Sequence, residues 1–132
     1  MSRASAGCAA LASACFWAGC AGGDDPLALT AQRDGASVVM VQLSDPGGGM
    51  EAAFSGTVTV NRDGCWTFDD EAPLVFPAGT DLVDDGRAVE LSDGTVTRLG
   101  DQVRFGGGFV DIDSRSGVAA ECADGDSLIL WQ

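Results

Sequence analysis

Short runs of β-branched and apolar residues, each stopped within about ten positions by Gly, Asp or Pro, fill this chain from Ser37 onward. A run too short for a helix and bounded by turn residues reads as a strand. Seven or eight are predicted, over 37–43, 52–60, 65–68, 74–76, 88–91, 95–99, 102–112 and 127–131. The interruptions carry turn chemistry. Asp45-Pro46-Gly47-Gly48-Gly49 and Asn61-Arg62-Asp63-Gly64 stop strands, and Pro77-Ala78-Gly79 puts Pro at the second and Gly at the fourth position of a type I turn. Ser92-Asp93-Gly94 is a hairpin signal. No helical apolar stripe of useful length and no internal repeat competes with this reading.

The chain is therefore all-β, and such chains remove exposed edges by closing into small barrels or pairing two sheets in a sandwich. The barrel is favoured, because Gly56 lies mid-strand and Gly106-Gly107-Gly108 interrupts another strand. Glycine inside a strand marks a bulge or sharp bend, which a small barrel needs at its corners. Arg98-Leu99-Gly100-Asp101-Gln102-Val103-Arg104-Phe105 is similar to the Gly-Asp-x-Val entry to a strand of OB-like barrels. A seven-stranded sandwich is the alternative. Phe54, Trp66, Phe68, Phe76, Phe105, Phe109 and Trp131 are assigned mainly to the core, with Trp66 and Phe68 on one face of their strand.

Composition limits the chemistry. All 7 basic residues are Arg, against 20 acidic ones, and Lys, His and Tyr are absent, for a net charge of −13. Without Lys there is no Schiff base, P-loop lysine or Ser-Lys dyad; without His there is no imidazole base and no His-ligated metal. This points away from an enzyme and away from a cofactor. A pI near 4.1 argues against nucleic acid as partner, since affinity for phosphates comes from clustered Lys and Arg. At 132 residues the chain supports one domain and one core.

The N-terminus reads as an address. Met1-Ser2-Arg3 supplies a positive start, residues 4–19 form an uncharged Ala-rich run, and Cys20 follows small residues. The run is shorter than the about 20 apolar residues of a membrane span. Trp17-Ala18-Gly19-Cys20 resembles the lipobox of bacterial lipoproteins, which implies acylation of the Cys20 thiol and a mature chain starting there. Ala12-Ser13-Ala14-Cys15 is a competing match that would leave only eleven apolar residues. An ordinary secretory signal, giving a secreted protein, and an N-terminal core helix are the other readings. The expected organisation is a signal peptide over 1–19, a lipidated tether over 20–36 and the β domain over 37–132. The protein is then extracytoplasmic and held at the cell membrane by lipid.

Cysteine parity agrees with export. Five Cys become two, Cys65 and Cys122, once Cys8, Cys15 and Cys20 are assigned to the signal and the lipid. In an oxidising compartment these two are expected to bridge, a closure giving about 4 kcal/mol by loop entropy. Two buried free thiols are the alternative; two isolated Cys without His make a poor metal site.

Gly56-Thr57-Val58-Thr59-Val60, Cys65, Val75-Phe76-Pro77-Ala78-Gly79-Thr80, Asp93-Gly94, Gly100-Asp101-x-Val103, Gly106 to Gly108 and Glu121-Cys122 together resemble small lipoproteins and secreted proteins of high-GC Gram-positive bacteria. The pattern covers residues 56–122. The resemblance implies location, a Cys pair and a β fold, and no activity.

Carboxylates are the remaining candidates. They cluster at Asp69-Asp70-Glu71, at Asp81 with Asp84-Asp85, at Asp111 and Asp113, and at Asp124 and Asp126. Extracellular calcium sites of about 10⁻⁴ to 10⁻³ M affinity use such groups. Asp111-Ile112-Asp113-Ser114-Arg115-Ser116 starts like a calcium loop but places Arg and Ser where a ligand and the turn Gly belong. Asp111 and Asp113 are thus weak metal candidates, and solvated loops are the simpler reading. A carboxylate pair could also serve a small hydrolase, although a domain this small leaves little room for a sugar cleft. The glycine runs lack Lys and a strand-loop-helix setting, so no phosphate cradle is expected. The expected function is a noncatalytic binding or envelope-associated module with an unidentified protein or envelope partner. A carboxylate hydrolase and a weak calcium binder are the alternatives.

Overall fold

The structure, a computed structural model, describes residues 28–44 and 52–132. The expected signal segment, Cys20, residues 20–27 of the expected tether and the turn at 45–49 lie outside the described residues.

Within them run ten strands: β1 (Leu29–Asp34), β2 (Ser37–Gln42), β3 (Ala52–Val60), β4 (Trp66–Phe68), β5 (Ala72–Phe76), β6 (Asp81–Val83), β7 (Ala88–Glu90), β8 (Val96–Arg98), β9 (Gln102–Asp111) and β10 (Ser127–Trp131). Turn chemistry places the hairpins. Gly35, with φ +60°, takes the first central position between β1 and β2, as a type II′ turn requires. Gly94, with φ +90°, lies in the β7–β8 turn, where Asp93 Oδ1 accepts from Thr95 N at 2.9 Å.

Strands β3, β4 and β5 pair in sequence as an antiparallel meander, and β9 returns to lie beside β3. That order, β9-β3-β4-β5, is a Greek key. β10 then closes the ring, antiparallel to β9 and parallel to β5. The result is a closed five-stranded, OB-like barrel, and closure removes the sandwich alternative. β6, β7 and β8 form a separate three-stranded sheet inserted between β5 and β9. Gln32 joins that sheet to β1: its Nε2 donates to Thr80 O and its Oε1 accepts from Leu82 N, both at 2.7 Å.

Alternation along the strands divides the apolar residues into two cores. Inside the barrel lie Val58, Trp66, Phe68, Leu74, Phe76, Phe105, Ile129 and Trp131. Phe105 and Trp131 stack with centroids 4.3 Å apart, and Trp66 meets Phe76 edge-on at 6.0 Å. Trp66 Nε1 is buried without a hydrogen-bond partner among the described residues. Outside the wall, Val38, Met40, Val75, Leu128 and Leu130 pack with Leu29, Ala119 and the two cysteines. This second core lies where β1 and the chain leading into β10 cover β2, β5 and β10.

Three expectations are corrected. Residues 29–34, read as tether, form β1, because Leu29 and Ala31 pack into the second core while Arg33 and Asp34 face water. Neither Gly56 nor the glycine triplet breaks its strand. Gly107 is required because a Cβ there would run into Leu130 O of the adjacent β10. Phe109 is not core: it is 58% exposed, covering Phe54 edge-on at 5.5 Å.

Candidate functional site

The β4–β5 turn is tight because Asp69 and Asp70 both adopt left-handed conformations, with φ of 52° and 56°. Asp tolerates this region better than bulkier residues. Phe68 O accepts from Glu71 N at 2.9 Å, closing the turn. Asp69 Oδ1 accepts from Thr57 N at 2.7 Å and Thr59 Oγ1 from Asp70 N at 2.8 Å, so both Asp residues are fixed to β3. The Thr59 and Thr67 hydroxyls meet at 2.7 Å across β3 and β4.

Beside this turn the loop entering β10 approaches, and together they enclose a groove of about 490 Å³. Asp70 and Glu71 line it from the turn, Asp124 and Asp126 from the loop, with Asn61 and Thr67 at its polar floor. No Arg lines it. Two of the sequence-predicted acidic clusters thus converge. In OB-type barrels the second and third strands with the loops after the first and fourth strands form the binding face. Here β4 and β5 are buried along their whole length, and the groove lies at their ends, between the turn that joins them and the 124–126 loop after the fourth barrel strand. Four carboxylates with no cation in the lining give this groove a negative potential, although Arg115 stands in the adjoining depression that Asp126 also lines.

The other candidates lie elsewhere. Asp113 lines an adjoining depression with Ile112, Arg115 and Asp126. Ser114 Oγ donates to Asp111 O at 2.6 Å, closing a 3-10 turn over Ile112–Ser114 rather than a calcium loop. Among the described residues no three His, Cys, Asp or Glu side chains gather as metal ligands. Asp84 binds Arg98 and Arg87 on the inserted sheet. The Arg98 hydrogen bond leads in holding the Asp84 carboxyl below its usual range. Asp93 is lowered chiefly by the Thr95 backbone N–H, and Glu121 by its hydrogen bond to Arg33. Each is a stabilised anion in a turn or ion pair, away from the groove.

Cys65 and Cys122 form a disulfide with Cα atoms 5.3 Å apart, and both are fully buried. Asn61 holds the two halves together. Its Oδ1 accepts from Asp63 N and Cys65 N, each at 2.9 Å, while its Nδ2 donates to Glu121 O at 3.1 Å. Arg33 then grips the Glu121 carboxylate through Nη2 at 3.0 Å and Nε at 3.2 Å. The bridge fixes the base of the loop that carries Asp124 and Asp126. Asn61 was recognisable as a turn former, but its reach to Glu121 requires the folded barrel.

Compared with protein family models, curated proteins and solved structures, this chain matches none.

Proposed function

We propose that the protein is an extracytoplasmic lipoprotein, anchored to the cell membrane through Cys20, whose barrel is a noncatalytic binding module for a cationic partner. The observation that carries the binding assignment is the groove in which Asp70, Glu71, Asp124 and Asp126 converge without an Arg. Electrostatic complementarity then favours Lys- or Arg-rich protein segments and disfavours nucleic acid and anionic polymers. Export is supported by the lipobox-like Trp17-Ala18-Gly19-Cys20 and by a disulfide of the kind that persists in oxidising compartments.

The test is titration of an oligolysine peptide into the mature protein. Binding that weakens with added salt, and disappears in Asp70→Asn/Glu71→Gln/Asp124→Asn/Asp126→Asn, is the expected result. Asp34→Asn/Asp81→Asn/Asp85→Asn/Glu90→Gln removes the same number of charges outside the groove and leaves affinity within about twofold. Equal loss in both variants would show attraction to net charge alone and overturn the groove assignment.

A further inference from the structure

The strand directions fix where the tether joins the fold relative to the groove. β2, β5 and β10 run parallel through the Met40–Val75 and Leu74–Ile129 pairings, so Gln42, Phe76 and Trp131 end together. Gln42 Nε2 reaches Trp131 O at 3.5 Å. The chain enters the described fold at this end. Ala28 bridges to Ser116, and its carbonyl accepts from Leu43 N at 3.2 Å. Leu43 beside it is 59% exposed. The groove carboxylates lie at the opposite ends of the same strands: Asp70 and Glu71 before β5, Asp124 and Asp126 before β10.

We infer that the anchored protein rests on the bilayer with the Ala28–Leu43 end toward the lipid and the acidic groove turned away. The orientation rests on the proposed acylation of Cys20. Ala28 lies eight positions beyond Cys20, and a relaxed flexible chain of that length has an end-to-end distance of about 16 Å. The five-residue strands β5 and β10 put roughly 17 Å between their two ends, and the turns that carry the carboxylates lie beyond that. Turning the groove onto the membrane would therefore hold the tether extended past its relaxed length, a loss of chain entropy that the Ala28-down orientation avoids. The groove's four carboxylates would also meet anionic headgroups, whereas Leu43 presents an uncharged side chain to the interface.

The test uses the full lipidated protein in phosphatidylcholine–phosphatidylglycerol vesicles, with and without brominated acyl chains that quench nearby tryptophan. Leu43→Trp and Asp124→Trp each add one exposed fluorophore, and both positions are exposed, so neither change enters a core. After subtracting the unsubstituted protein, brominated lipid is expected to quench Leu43→Trp at least twofold more than Asp124→Trp. Equal quenching, or stronger quenching of Asp124→Trp, in protein that floats with the vesicles overturns the orientation and leaves the anchor standing. Protein that fails to float overturns both.

Discussion

The Asp69 carboxylate occupies the space that a side chain on Gly56 would need. A Cβ built on Gly56 would stand within contact-breaking distance of both Asp69 oxygens, one of which holds Thr57 N. The glycine in β3 is therefore explained by a partner from the β4–β5 turn. That turn also carries Asp70 and Glu71 to the groove.

Gly56→Ala is expected to displace Asp69 and cost about 1 kcal/mol, the value of the lost hydrogen bond. Asp69→Ala should cost a similar amount. In a double-mutant cycle read by urea denaturation, Gly56→Ala should cost little once Asp69 is gone. Additive losses would mean that the glycine is needed for another reason.

Removing the disulfide should destabilise more. A separation of 57 residues corresponds to about 4 kcal/mol of loop-closure entropy. Because the bridge is the shared element, Cys65→Ser and Cys122→Ser should lower stability equally in chemical denaturation. Limited proteolysis of either variant should open the chain first around 112–123, the segment the bridge ties down. Unequal losses would show that one sulfur contributes mainly as packing in the second core.

Acid should weaken the fold through exposed ion pairs and turns. Asp84, Asp93 and Glu121 hold their protons less tightly folded than unfolded. Their contribution is thus complete above the ordinary carboxylate range of about pH 4 and is lost as pH falls through the lowered folded-state values. The melting temperature should decline on acidification below about pH 5. Glu121→Gln, which keeps the shape but loses the charge that Arg33 holds, should flatten that decline. An unchanged slope in this variant would remove the Arg33–Glu121 pair from the account.

Local chemistry made much of this legible in the sequence. Asp93-Gly94 and Asn61 through Gly64 announced their turns, alternation put Trp66 and Phe68 on one face, and the core assignment of the aromatics holds for these two and for Phe105 and Trp131. Setting aside Cys8, Cys15 and Cys20 as signal and lipid cysteines left the pair that bridges. What escaped depends on nonlocal pairing. β1 escaped because four of its six residues are polar and its apolar ones meet partners only across β2 and the loop before β10. Gly107 looked like a bend, yet its reason is the Leu130 carbonyl on a strand more than twenty residues away. The groove escaped as a unit because Asp70 and Asp126 come together only through the parallel β5–β10 pairing, which no turn signal marks.

Mass spectrometry of the mature N-terminus tests the central claim most directly, since the proposed anchoring and orientation both rest on acylation of Cys20. The account predicts a chain that begins at Cys20 and carries a diacylglyceryl thioether on its sulfur. An unmodified N-terminus at Ala21 or beyond would contradict it, freeing the barrel from the membrane.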